Sequence, residues 1–242
     1  MNPSRLVALA AILLLASPVL AQNGPQNLQI YPTSMSREAI IAEMRHFTFA
    51  LGVRCDYCHA RNENGRGFDF ASDSNPNKEK ARVMLMMTDA INSQFLPDLA
   101  DRGDNPVEVT CKTCHRGTQK PRLLWQEMVL ATHEGGADAA IAKFEQLRTD
   151  YENAGAYDFR EAEMNVVGEE LAAEGHHEDA IIIYRMNAER FPTSSMPWVG
   201  MAESHEALGH KDEAIAAYEK ALEIGPPRQD IQVKLAELKG GN

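Results

Sequence analysis

Two short stretches of this chain place thiols and an imidazole where they can act together: Cys55-Asp56-Tyr57-Cys58-His59 and Cys111-Lys112-Thr113-Cys114-His115. Thiols three positions apart lie on one turn of chain. Each can add to a vinyl group of the same porphyrin, and the histidine that follows then reaches the iron as proximal ligand. The pattern is that of covalent heme attachment. Cys55, Cys58, Cys111 and Cys114 are therefore expected to carry two heme c groups, with His59 and His115 on the irons. No cysteine lies outside these motifs. A zinc site would leave the histidine after each pair as coincidence, twice. A thioredoxin-like dithiol would need a βαβ setting, and no such alternation of strand and helix patterns occurs.

An electron-transfer iron also wants a sixth ligand, and the elements beside the motifs bear on which residue it is. Ile40, Met44, Phe47 and Leu51 fall on one stripe of a helix. Ser36 can cap its start, Glu38 lies in its first turn, and Gly52 can end it. The chain then turns into Cys55, which lets Met44 reach the first heme. A packing role for that methionine is the competing reading. Lys78 to Phe95 reads as a second helix holding Met84, Met86 and Met87, with Met84, Met87 and Ile91 on one face. At most one of these methionines is a ligand. The histidines are poorer candidates: His46 faces away from the Met44 stripe, and His133 lies outside the cytochrome stretch. His176, His177, His205 and His210 fall in or near repeat turns. Arg61 to Asn77 reads as a loop.

The rest of the chain follows a different rule. Ala180, Tyr184 and Pro192 recur 34 residues on as Ala214, Tyr218 and Pro226. That period, with small, aromatic and proline positions at these offsets, is the tetratricopeptide pattern. Gly168 suits the close helix–helix contact of the first unit, and Ala202 takes that place in the second. Ala140, Phe144 and Leu147 resemble a further, degenerate unit, with Asn153 to Arg160 as an inserted loop. Gln229 to Leu238 can close the array. The fold expected is mainly α, a small multiheme cytochrome domain followed by a helical-hairpin array. The expected divisions are 1–21 signal peptide, 22–120 diheme domain, 121–160 connecting helices broken at Gly135-Gly136, and 161–239 repeats with a closing helix.

Arg5, the apolar run Leu6 to Leu15, and Val19-Leu20-Ala21 have the layout of an export signal. The run is too short for a comfortable membrane span, although an uncleaved anchor is the alternative. The expectation is a periplasmic protein without a transmembrane segment after cleavage, in a compartment where heme attachment takes place. The net charge is −11, which argues against nucleic acid as partner.

At these residues the sequence resembles the cytochrome c subunit family of photosynthetic reaction centres. The likeness rests on the Met44 helix, Leu51-Gly52-Val53-Arg54 leading into Cys55, the Lys80 to Asn92 helix, and Val109-Thr110 leading into Cys111 with Arg116-Gly117 after it. It covers roughly residues 27 to 122. The resemblance implies that each heme follows a helix supplying a methionine, which assigns Met44 to the first heme and Met87 to the second. It implies one-electron transfer with a redox partner protein, which can itself be membrane-bound. The chain departs from the family in holding two heme motifs where photosynthetic members hold four. It looks like one half, closest to the second. There the last heme takes a histidine from the half that is missing here. A heme enzyme with an open iron position on the second heme, a peroxidase or small-molecule reductase, is one alternative function. A repeat scaffold with structural hemes is the other. The main expectation is a non-enzymatic electron carrier whose repeats dock a partner protein.

Overall fold

The structure, a computed structural model, describes residues 24–100, 103–104 and 106–240. The expected export signal lies outside them. Helices dominate, as the periodicity implied. Helix α1 (Arg37–Leu51) starts where the Ser36 hydroxyl accepts the Ala39 N–H at 3.2 Å, and Glu38 sits in its first turn. Gly52 ends it in the left-handed region, at φ 64°. Cys55–Tyr57 form a single 3₁₀ turn. The stretch expected as a loop contains a small antiparallel hairpin, β1 (Ala60–Arg61) with β2 (Phe68–Asp69).

Helix α2 (Pro76–Ala90) begins two residues earlier than its apolar pattern suggested. Pro76 loses nothing in a first turn that needs no N–H there, and the Asn75 side chain accepts from the Asn77 N–H at 3.0 Å. The end of the expected helix, Ile91–Phe95, widens into a π-turn and then a 3₁₀ turn at Leu96–Asp98. Helix α3 (Cys111–His115) is the second motif itself.

Helix α4 (Leu124–Tyr151) breaks at Gly135 and Gly136, whose backbone is non-helical, so two helices meet there as expected. Residues 152–160 carry no regular element. Then come α5 (Glu161–Ala173), α6 (His177–Arg190), α7 (Met196–Ala207), α8 (Lys211–Ile224) and α9 (Gln229–Gly240). The pairs α5–α6 and α7–α8 stack as hairpins. The repeat positions explain the stacking. Ala180, Ala214, Tyr184 and Tyr218 are all buried. The Tyr184 ring lies between two helices that carry glycine where they meet it. A Cβ on Gly168 would stand 2.4 Å from that ring, and one on Gly200 2.3 Å. Asn187, fully buried, donates to the Asn165 side chain at 2.8 Å and the Glu161 carbonyl at 3.1 Å.

The packed apolar core runs from Leu124 to Ile231 and draws on α4 through α9. Among the described residues before it, only Ala50, Arg82 and Thr118 are buried. Large apolar side chains there stand open, including Phe49 at 74% and Phe70 at 57% exposure. No helix of the described residues is long and apolar enough to cross a membrane.

Candidate heme-attachment site

The first motif is held from below by α2. Asn75 and Asn77 both donate to the Tyr57 carbonyl, at 3.1 and 3.0 Å. Lys78 reaches back over the loop and donates to the carbonyls of Phe70, Ala71 and Ser72 at 2.9–3.1 Å, while its ammonium pairs with Asp73 at 2.9 Å. Arg82, buried at 7% exposure, joins the same carboxylate at 2.8 Å and Glu79 at 2.9 Å. Phe70, positioned by this clamp, meets the His59 ring edge-on at 5.0 Å. Burial, with Lys78 nearby, pushes the His59 pKa below its ordinary value. The ring is thus kept neutral, the form in which imidazole ligates a metal. Burial pushes the Cys58 and Cys111 thiols up. A reactive dithiol would need the opposite shift.

The second motif is fixed by its own turns. Thr113 Oγ1 accepts from the Thr110 N–H at 3.0 Å, closing the start of α3. Asn92, presented by the π-turn, donates to the Val109 carbonyl and accepts its N–H, both at 2.8 Å. His115 Nδ1 lies 3.0 Å from the Thr118 carbonyl oxygen. A carbonyl can only accept, so Nδ1 is the donor, and in the neutral ring Nε2 is the nitrogen left with its lone pair. That is how a proximal histidine is oriented for iron. Gly117 N–H donates to the Ala50 carbonyl at 2.8 Å, joining this motif to the end of α1.

One cavity gathers most of the expected residues. Met44, Cys55, Cys58, His59, Cys111 and His115 all line it. Its walls also include Phe47, Leu51, Phe70, Met84 and Leu85. Cys114 and Met87 are not among the lining residues, and both are exposed. Met84, one turn before Met87, is the α2 methionine that faces the cavity. His46 is exposed, pointing away as its spacing implied.

The residues present suit a porphyrin. Apolar side chains of α1 and α2 that lack a packed core stand around the motifs. Four bases, Arg54, Lys78, Lys80 and Arg82, line the cavity and no carboxylate does, in a chain of net charge −11; Lys78 and Arg82 are paired with Asp73 behind the lining, which leaves Arg54 and Lys80 to meet an acidic group. An apolar ring with two acidic tails matches such a lining. His115 turns its Nδ1 to a carbonyl, which leaves Nε2 as its metal-binding nitrogen, and His59 keeps a buried Nδ1 without a hydrogen-bond partner among the described residues.

Sequence reasoning did not find Asn92, the Asp73–Lys78–Arg82 clamp, or the Thr118 carbonyl. Asn92 lay inside a helical pattern, with no sign of the π-turn that aims it. The clamp depends on a loop whose path the residue types leave open.

Residues 35–154 match the model of the family described as photosynthetic reaction centre cytochrome C subunit, and residues 195–238 match a tetratricopeptide repeat. The chain is a cytochrome c domain followed by a tetratricopeptide region. The cytochrome match runs beyond the residues that carried the resemblance, through α4, even though α4 packs into the core shared with the repeats. The photosynthetic reaction center cytochrome c subunit of Rubrivivax gelatinosus is 32% identical over 117 residues, which cover 46% of this chain and 29% of that protein. Cytochrome c-554 of Chloroflexus aurantiacus is 33% identical over 103 residues, 39% of this chain and 23% of that protein. The Thermochromatium tepidum reaction center subunit is 35% identical over 115 residues, 45% of this chain and 26% of that protein. The cytochrome domain thus corresponds to less than a third of each of these relatives.

Proposed function

We propose that this protein is an exported, periplasmic diheme cytochrome that passes single electrons to or from a partner protein docked on its repeats. The carrying observation is the shared cavity, in which Cys55, Cys58 and His59 of the first motif, Cys111 and His115 of the second, and Met44 come together. Heme c would be held through Cys55, Cys58, Cys111 and Cys114, with His59 and His115 as proximal ligands and Met44 and Met87 as distal ones. When bound, the group supplies one-electron exchange at its iron. The chain's residues do the rest. Asn75, Asn77 and Asn92 fix the backbone on which the motifs sit. The Thr118 carbonyl orients the His115 ring, and Arg54 and Lys80 at the cavity would offset acidic tails. A methionine opposite histidine raises the potential relative to two histidines.

The repeats offer a surface for docking. Between α7, α8 and α9 lies a polar cleft containing Glu203, Glu206, Tyr218, Arg228 and Lys234. Tyr218 donates to Glu206 at 2.6 Å, and Lys234 pairs with that carboxylate at 2.9 Å. Stacked helix pairs commonly present such surfaces to other proteins.

A second reading, a heme enzyme working at the second motif, is favoured by one observation: Met87 stands outside the cavity lining that Met44 shares. Redox titration of the purified, heme-loaded protein, with a peroxide-turnover assay beside it, separates the two. Reversible one-electron steps without turnover support the carrier. Turnover with an open coordination position supports the enzyme. Hemes that cannot be cycled without unfolding contradict electron transfer and leave a scaffold.

A further inference from the structure

We propose that His133, Glu174 and His176 form a site for a divalent zinc-type cation at the joint between α4 and the first repeat. The three residues come from separate elements. His133 lies two residues before the break in α4, Glu174 follows the end of α5, and His176 stands before α6. One donor atom from each lies within 4.8 Å of the other two. Among the described residues, this is the group of three or more such side chains close enough to share an ion, and it contains none of the heme-motif residues.

Backbone bonds fix where these donors start from. Glu174 N–H donates to the Glu170 carbonyl at 3.0 Å, and His176 N–H to the Leu171 carbonyl at 2.8 Å. Across the break, Ala137 N–H donates to the Asp179 carboxylate at 2.7 Å, which ties the second half of α4 to the first turn of α6. The histidine on one side of the break is thereby carried against the α5–α6 turn.

Two imidazoles and one carboxylate make a donor set that zinc accepts, with water completing four-coordination. His133 Nε2 and Glu174 Oε2 stand 2.6 Å apart, a hydrogen bond that the imidazole N–H donates to the carboxylate. A cation takes the place of that proton. The His133 ring then carries its hydrogen on Nδ1, and the two donor atoms part slightly, as exposed side chains can. A histidine–carboxylate bond alone would need no second imidazole. Yet the His176 ring closes to 5.9 Å from His133. The next repeat supplies a built-in comparison. His210, 34 residues after His176, pairs with His205 at 5.8 Å between ring centres, but the counterpart of Glu174 is Leu208. That pair lacks the carboxylate and is not expected to hold the ion. A bound cation would fasten the helix that leaves the cytochrome domain to the turn that opens the repeats.

The test is calorimetric titration of untagged, heme-loaded, chelator-stripped protein with zinc chloride. The expected result is one saturable equivalent, absent in a His133→Ala/His176→Ala variant and unchanged in a His205→Ala/His210→Ala variant. Glu174→Gln should weaken binding by at least the roughly tenfold typical of lost outer-shell partners. The heme absorption spectrum should not move on zinc addition, and circular dichroism should show the variants folded. Absence of saturable zinc binding, or binding undiminished in the His133/His176 variant, would overturn the proposal.

Discussion

Gly52 and Gly117 touch so closely that a Cβ on Gly52 would stand 2.1 Å from the Gly117 carbonyl oxygen. Beside them the Gly117 N–H donates to Ala50. The contact joins the end of the helix that carries Met44 to the turn after His115. The two heme motifs are thus built on one backbone junction, and whatever sets one bears on the other.

Gly52→Ala should be costly for two independent reasons. Its φ of 64° disfavours a side chain, and the new methyl would meet backbone that cannot swing aside. The expected loss is about 2–4 kcal/mol in denaturant unfolding of the heme-loaded protein. Gly65→Ala is the control. It has a similar φ of 71° and nothing within 4 Å of the new methyl, so it should cost only about 1 kcal/mol. Equal effects would mean that the junction is not a constraint.

Met44→Ala should change the absorption spectrum of one heme and lower its potential. The shift should be on the order of 0.1 V, a modest part of the roughly 0.8 V that axial ligands span. An unaltered spectrum would return Met44 to a packing role on α1.

Asp73 supplies a pH signature. Hydrogen bonds from Arg82, Lys78 and Asn27 hold its carboxyl below the usual carboxylate range. A carboxylate whose pKa is depressed by folding adds stability that is complete above its unfolded pKa, about 4. That stability is lost as pH falls from there toward the folded value. Asp73→Asn should therefore destabilise the cytochrome domain at neutral pH, and the gap from the unaltered protein should close as pH drops below about 4. Thermal melts followed at the heme band across that range would show it. A gap independent of pH would point to packing instead of charge.

Much of this architecture was readable from residue types. The Ser36 cap, the Gly52 stop and the Gly135-Gly136 break are local signals, and local backbone energetics decide them. The 34-residue period identified the helix pairs because the small residues at Gly168 and Ala180 and the ring of Tyr184 must meet in a stack. What stayed hidden depends on distant partners. Asn92 became a clamp for Val109 only because a π-turn redirected it, and Lys78 reaches four residues of a loop whose course no spacing rule sets. Met84 and Met87 share a helix face in the sequence. Which of them looks into the cavity is decided by how α2 lies against the first motif, a tertiary fact.

The central claim, two covalent hemes on these two motifs, is tested most directly by intact mass. The protein should be produced with a heme-attachment system and measured beside Cys55→Ala/Cys58→Ala and Cys111→Ala/Cys114→Ala variants. The account expects the unaltered chain to gain two heme masses and each variant to gain one. A single heme mass on the unaltered chain, or none, would contradict it.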